Sequence, residues 1–154
     1  MSDDHLTDHE TDLLFVLYDV ARIMRTRADQ RAKCTGMTRA QWVILVWLER
    51  NPGLSQNELA ALVEVEPITV ARLIDKLEAH GVVERRADPA DRRIKRLHLT
   101  DAAKPMLTQV HEYRAESLKL VTEGVSAAAL ETTLDTLLRM KSNLLTENRL
   151  SKAV

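Results

Sequence analysis

The chain is poor in several residue types, and each shortage excludes a class of structure. Cys34 is the single cysteine among 154 residues, so no disulfide can form within the chain, which fits a reducing cytoplasm. Glycine and proline number four each and aromatic residues make up 3%, so the core must consist mainly of Leu, Val, Ile and Ala. This composition favours a helical protein.

Long apolar runs and catalytic motifs are also missing. No stretch approaches the roughly 18 apolar residues of a membrane span, and the start of the chain does not resemble a signal peptide, so we expect a cytoplasmic protein without a membrane partner. Because there is no glycine-rich phosphate loop or nucleophile elbow, we expect no enzyme and no cofactor. His5 and His9 have a spacing that could place two imidazoles at a metal. In an acidic N-terminus solvated side chains are more typical, so we expect no metal site.

The charge is balanced overall but unevenly distributed. With a formal net charge of -1, the chain as a whole is not basic, so its overall charge does not indicate nucleic-acid binding. Residues 82–96, in contrast, contain six basic and three acidic residues. Since physiological salt screens charges beyond about 8 Å, such a local patch can act independently of the rest of the chain.

Apolar periodicity and capping signals predict six helices. The first is expected from about Thr7 to about Lys33. Capping boxes at Thr38–Gln41 and Ser55–Glu58 predict the starts of the second and third, the latter short and ending near Val63. Pro67 and Gly81 bracket the fourth. The fifth is expected from a cap at Thr100 and Asp101, with Pro105 distorting its second turn, and the sixth from Ser126.

Two short strands are predicted at 82–86 and 93–99, joined by a turn at 87–92. Helix, short helix, turn, helix and hairpin is the order of a winged helix-turn-helix, in which the third of these helices enters the DNA major groove. The expected fold class is therefore mainly α with a small β-hairpin.

The fourth helix has two faces that predict different roles. Val70, Leu73, Ile74 and Leu77 form one buried stripe. The opposite side carries residues that suit DNA: Thr69 for a phosphate or a thymine methyl, Arg72 for guanine or phosphate, and Lys76 for phosphate, beside Ile68. Ser55 and Gln56 open the third helix, where free N–H groups can hold a phosphate. The alternative for Arg72 and Lys76 is a solvated helix face.

The hairpin supplies the remaining candidates, Arg86, Arg92 and Arg93. Arginines at a hairpin tip match the narrow, negative minor groove, and Asp91 can pair with a neighbouring Arg and hold it in position. A merely solubilising loop is the alternative, but it does not explain a basic hairpin directly after a cationic helix face.

The segments DPADRRIKRLHLT and SQNELAALVEVEPITVARLIDKLEAHGVVERR resemble the wing and the helix-turn-helix of MarR-type transcriptional regulators. The wording of EPITVARLIDKLEAHG is most similar to the SlyA branch. The resemblance covers about residues 37–107. It implies a homodimer that binds a palindromic operator in double-stranded DNA, mostly as a repressor.

The resemblance also implies a domain organisation. Residues 1–36 and 101–154 should form a helical dimerisation domain, and residues 37–100 the winged helix-turn-helix. The leucine-rich terminal helices have little surface of their own domain to pack on, and the candidates for the intersubunit core are Leu13, Leu17, Leu134, Leu137, Leu144 and Leu145. An ordinary intrachain helix bundle is the alternative.

The family resemblance further implies a small aromatic or phenolic effector, and Tyr18, Arg22 and Trp42 are the candidate residues that line its pocket. Such an effector must prefer a spacing of the DNA-reading helices that does not fit DNA. Two alternatives remain open at this stage: a regulator that senses oxidants through Cys34, which has Arg31 and Lys33 nearby, and a winged-helix module that binds proteins.

Overall fold

A computed structural model describes residues 12–63 and 65–151, and its elements appear in the predicted order. The helices are α1 (Leu13–Cys34), α2 (Arg39–Arg50), α3 (Gln56–Val63), α4 (Pro67–Ala79), α5 (Lys104–Val121) and α6 (Ala127–Ser151); the strands are β1 (Val83–Ala87) and β2 (Lys95–Leu99). This is the predicted mainly α fold with a two-stranded antiparallel hairpin. The helix expected to run on from about Thr7 is interrupted at Asp12, which has extended backbone angles and caps α1 by accepting from the Leu14 N–H at 2.9 Å. Thr7 itself and the pair His5 and His9 lie outside the described residues.

The structure divides into two compact units, Met1–His111 and Glu112–Val154. The division falls within α5. The domain boundaries expected at 36/37 and 100/101 remain a prediction. The first unit contains the winged helix-turn-helix. The second contains the end of α5 and all of α6.

Both predicted capping boxes are confirmed. At α2, the Thr38 hydroxyl accepts from the Gln41 N–H at 3.2 Å, and the Gln41 Oε1 accepts from the Thr38 N–H at 2.8 Å. At α3, Ser55 and Glu58 make the same reciprocal pair at 3.2 and 2.7 Å. Each box satisfies two backbone donors that a helix start leaves without partners, so each helix begins where the sequence predicted.

The core of the first unit consists of aliphatic side chains from α2, α3, α4 and the hairpin. The largest fully buried ones are Ile44, Leu45, Leu48, Leu59, Ile74, Leu77, Leu97, Val70, Val82 and Val83. Helix α4 packs on α3 and on β1, and α2 packs on β2. The core thereby holds α4 against the hairpin.

The hairpin register pairs Val83 with Leu99, Arg85 with Leu97, and Ala87 with Lys95. A third segment extends the sheet: the Gly53 N–H donates to the Leu97 carbonyl at 2.9 Å, and the Leu97 N–H donates to the Leu54 carbonyl at 2.8 Å. The sequence predicted no strand between α2 and α3. The segment contributes a single bridge, Ser55 to Arg96.

Three boundaries differ from the sequence prediction. Strand β1 lies one residue later than the expected 82–86. Arg93 and Ile94 belong to the turn, because the Asp88 N–H donates to the Ile94 carbonyl at 3.0 Å and closes it. Before α5 the chain forms a 3-10 turn, Asp101–Ala103, and the Thr100 hydroxyl donates to the Gly81 carbonyl at 2.6 Å instead of capping the helix. Pro105 therefore lies in the first turn of α5, where its missing N–H is not needed.

Candidate nucleic-acid interface

Helix α4 presents two distinct faces. Val70, Ile74 and Leu77 are buried, and Leu73 is half-buried at the edge of that stripe. The opposite side, called here the outer face of α4, consists of Ile68, Thr69, Arg72 and Lys76, all exposed. Ile68, in the first turn of the helix, is 62% exposed. The helical period alone produces this division, so the sequence could predict it.

Arg85 lies on the inward face of β1, beside its cross-strand partner Leu97. Its guanidinium bridges two carboxylates of α4: Nη2 lies 2.6 Å from Asp75 Oδ1, and Nη1 contacts Glu78 Oε2. The Arg85 side chain is only 21% exposed. In the sequence, Arg85 is one of the six basic residues of the hairpin. Strand alternation was the signal that could have placed it on the inward face.

Arg96 is the second arginine of the hairpin that is bound within the chain. Its Nε lies 2.6 Å from Asp88 Oδ2, and its Nη1 lies 2.9 Å from Glu58 Oε2. Glu58 is the carboxylate of the α3 capping box, so one side chain connects the hairpin turn to the start of α3. Because Arg96 and two backbone N–H groups bond to it, the pKa of the Asp88 carboxyl is lowered. The pKa of Glu58 is lowered first by the Ser55 N–H and then by the Ser55 hydroxyl, with Arg96 adding to the effect.

Arg92 and Arg93 in the hairpin turn and Lys95 at the start of β2 are exposed cations. Within the part of the chain that the structure describes, no carboxylate forms an ion pair with any of them. Arg86, also exposed, is different, because its Nε donates to Glu84 Oε1 at 2.7 Å. Fewer cations of the hairpin are therefore exposed and unpaired than its six basic residues suggested.

Asp91 does not hold an arginine side chain as the sequence analysis expected. Its Oδ1 accepts from the backbone N–H of Arg93 at 3.0 Å. The ion pair at this turn is instead formed by Asp88 with Arg96. Asp91 thus shapes the backbone between the two exposed arginines, since an aspartate two residues before an N–H readily closes such a turn.

Ser55 and Gln56 lie half-buried at the start of α3. The Ser55 N–H is occupied by Glu58, so it is not one of the free N–H groups that the sequence analysis expected there. The Gln56 Oε1 accepts from Arg85 Nη2 at 3.4 Å. The Ser55 hydroxyl is also engaged within the box, because its oxygen accepts from the Glu58 N–H and the hydroxyl helps to lower the pKa of the Glu58 carboxyl.

The three side chains expected to contact an effector lie in different surroundings. Tyr18 is 70% exposed on α1, and Arg22, one turn later, donates from its Nε to Asp19 at 3.0 Å. Trp42 is 4% exposed and belongs to the core of the first unit. An effector site at these residues remains a prediction.

Two further features of the sequence are located by the structure. Cys34 is exposed at the last residue of α1, with its Sγ 3.4 Å from the Gln30 carbonyl. Of the six leucines expected between subunits, Leu17 is half-buried, and the other five are exposed in the single chain: Leu13, Leu134, Leu137, Leu144 and Leu145. Among the described residues no helix combines the length and the apolarity that crossing a bilayer requires.

Residues 37–95 match the model of the MarR family. The transcriptional regulator PA3341 is a similar solved structure, with 33% identity and a TM-score of 0.77 over 85% of this chain and 96% of that one. The transcriptional regulator SlyA has 29% identity and a TM-score of 0.79 over 89% of this chain and 96% of that one.

The chain belongs to the MarR family of transcriptional regulators. The matched segment contains α2, α3, α4, β1 and the start of β2, so the family signal coincides with the surface described above. The fold is also shared with a putative MarR-family regulator from Listeria monocytogenes, which was solved with a 26mer DNA. That structure has 20% identity and a TM-score of 0.80, covering 89% of this chain and 91% of its own.

Proposed function

We propose that this MarR-family protein is a homodimeric, sequence-specific DNA-binding regulator that recognises an inverted repeat and represses transcription by occupying promoter DNA. One observation carries the proposal. The outer face of α4 and the hairpin, both in the first unit, carry exposed cations without a carboxylate partner among the described residues: Arg72, Lys76, Arg92, Arg93 and Lys95. Exposed, unneutralised cations of this kind are what a phosphate backbone requires.

In this proposal α4 is the recognition helix. Arg72 faces outward and can contact guanine or a phosphate, and Lys76, one turn later, contacts a phosphate. Ile68 and Thr69, in the first turn of the helix, are placed to meet thymine methyl groups. The Gln56 N–H at the start of α3 adds a phosphate contact, and the Ser55 hydroxyl adds another after exchanging the Glu58 carboxylate for a phosphate.

The hairpin acts as the wing. Arg92 and Arg93 enter or approach the minor groove that flanks the site read by α4, where the negative potential is strongest. Asp91 holds the Arg93 backbone, and Arg86 adds positive charge after exchanging Glu84 for a phosphate. The Listeria regulator solved with DNA shares this fold, which supports a DNA partner for the present chain.

The terminal helices supply the second subunit in this proposal, with residues 1–36 and 101–154 forming the dimerisation domain. Helix α6 carries a stripe of leucines at steps of three and four residues, and Leu144 in it is 67% exposed. Contiguous exposed apolar surface of this kind marks an interface. An ordinary intrachain bundle would bury these side chains within one chain, so their exposure in the described residues favours a dimer.

A homodimer places two recognition helices about 34 Å apart, the pitch of the duplex, and so selects an inverted repeat. We further propose that a small aromatic effector releases the DNA by favouring a different separation of these helices. Tyr18 and Arg22, both exposed on α1, are the candidate contacts for its ring and its carboxylate. Trp42 is buried, so an effector affects it only by changing the packing of the core.

Selection of genomic fragments by the purified protein, followed by sequencing, tests the proposal. We expect one family of fragments with two-fold symmetric half-sites about one helical turn apart, and an affinity that falls steeply with salt. Recovery of fragments without a common sequence would overturn sequence-specific binding. A common sequence without internal symmetry would overturn the dimeric arrangement.

A further inference from the structure

We infer that Arg85 is a positioning residue for DNA recognition: it fixes the angle between α4 and the hairpin so that both reach the duplex together. The inference rests on the proposed function, because it assigns a task to a side chain that the DNA does not need to touch. The ion pairs of Arg85 in the first unit support this role. They distinguish Arg85 from the exposed arginines of the hairpin, which are proposed to contact DNA directly.

The contacts of Arg85 join three elements. From β1 it reaches Asp75 and Glu78, which lie three residues apart on one side of α4, and its Nη2 also donates to Gln56 of α3 at 3.4 Å. The backbone N–H of Arg85 donates to the other oxygen of Glu78, at 3.3 Å. A planar guanidinium held at several points fixes direction as well as distance, which a single lysine contact would not do.

The ion pairs of Arg85 lie on α4 next to the residues proposed to read DNA, so they can set the orientation of those residues. Asp75 comes three residues after Arg72 and immediately before Lys76, so the bridged side of the helix adjoins its outer face. A rotation of α4 relative to β1 would move the outer face and the wing tip by different amounts. Recognition constellations tolerate displacements of only about half an ångström before contacts are lost.

Electrostatics alone predicts the opposite outcome for one variant, which makes the inference testable. Asp75→Asn with Glu78→Gln removes two negative charges beside the proposed DNA surface. If these carboxylates mattered only as charges, the double variant would bind all DNA more tightly. If they hold Arg85 and thereby set the angle, the affinity for the selected operator should fall on the order of tenfold, while the affinity for unrelated DNA should rise or stay equal.

Two comparison variants separate charge from geometry. Glu66→Gln removes one negative charge at the exposed start of α4, where its side chain makes no capping bond, so it should tighten binding to both kinds of DNA. Arg85→Lys keeps the charge but cannot span both carboxylates. It should lose operator affinity nearly as far as Arg85→Ala does.

The experiment combines these binding measurements with amide hydrogen exchange in the absence of DNA. In the double variant, exchange should accelerate at β1 and at the end of α4, with the thermal midpoint and the exchange of α2 unchanged. Tighter operator binding by the double variant, or wild-type behaviour of Arg85→Lys, would overturn the inference and leave the proposed function standing. If the wild-type protein selects no DNA, the proposed function fails and the inference fails with it.

Discussion

The Nε of Arg96 lies 2.6 Å from Oδ2 of Asp88, so the two ends of the hairpin turn are tied together by a charged hydrogen bond. The same guanidinium reaches Glu58 at the start of α3 at 2.9 Å. The turn that carries the exposed arginines is therefore anchored to the helix-turn-helix beneath it. Arg85 anchors the other face of the hairpin to α4.

This anchor predicts a pH dependence. Because Arg96 lowers the pKa of Asp88, the ion pair contributes to stability above the ordinary carboxyl value of 3.8 and is lost as the pH falls through the lowered value. NMR titration of the carboxyl carbons should show Asp88 titrating below 3.8 in the wild type, and at a higher pH in Arg96→Gln, where only the two backbone N–H groups still lower its pKa. Asp101, whose pKa is lowered by Lys104, is the control and should not respond. An unchanged Asp88 titration in the variant would mean that Arg96 is not its partner.

The wing cations predict a change in salt dependence. Arg92→Ala or Arg93→Ala should weaken operator binding and reduce the slope of log affinity against log salt by about one unit per lost contact, hence by about two for a dimer with two wings. Fluorescence anisotropy at several salt concentrations measures the slope. Arg139→Ala, which removes a charge from the exposed polar side of α6, should leave it unchanged. If both wing variants keep the wild-type slope, the wing does not contact the backbone.

The exposure of Ile68 predicts recognition of a thymine methyl. Replacing single thymines of the operator by deoxyuridine removes that methyl and should reduce wild-type affinity about fourfold at the contacted position, corresponding to about 0.8 kcal/mol for one buried apolar group. Ile68→Ala should bind the thymine operator more weakly and discriminate less between the two bases. Equal sensitivity of wild type and variant at every position would assign the methyl contact to another side chain.

The leucine stripe of α6 predicts the oligomeric state. Leu137→Glu places two charges in the proposed interface and removes two leucines, each contributing roughly 1.5–3 kcal/mol when buried. Sedimentation equilibrium should show a shift from dimer to monomer, with the helical circular dichroism largely retained, and operator binding should be lost. Glu131→Gln, a change on the polar side of the same helix, should remain dimeric. A dimeric Leu137→Glu variant would place the interface elsewhere.

The sequence by itself determined which segments are helical, because the signals that decide this act within a few residues. The capping boxes of Thr38 and Ser55, Pro67 at the start of α4, and the apolar period of Val70, Ile74 and Leu77 all depend on neighbours within one or two turns. The outer face of α4 follows from that period. The turn residues at 87–92 and the short runs on either side of them predicted the hairpin, and the order of these elements indicated a winged helix-turn-helix.

Only the tertiary structure decided what each arginine of the hairpin does. Arg85 and Arg96 have the same chemistry as Arg92 and Arg93, but their partners lie 10 and 38 residues away, at Asp75 and Glu58, and are reached only after α3, α4 and the sheet have packed. The register of β1 and β2 turns Arg85 inward beside Leu97, and a shift by one residue would turn it outward. Register and packing are long-range properties, which is why the sequence could locate the charges without showing which of them remain exposed.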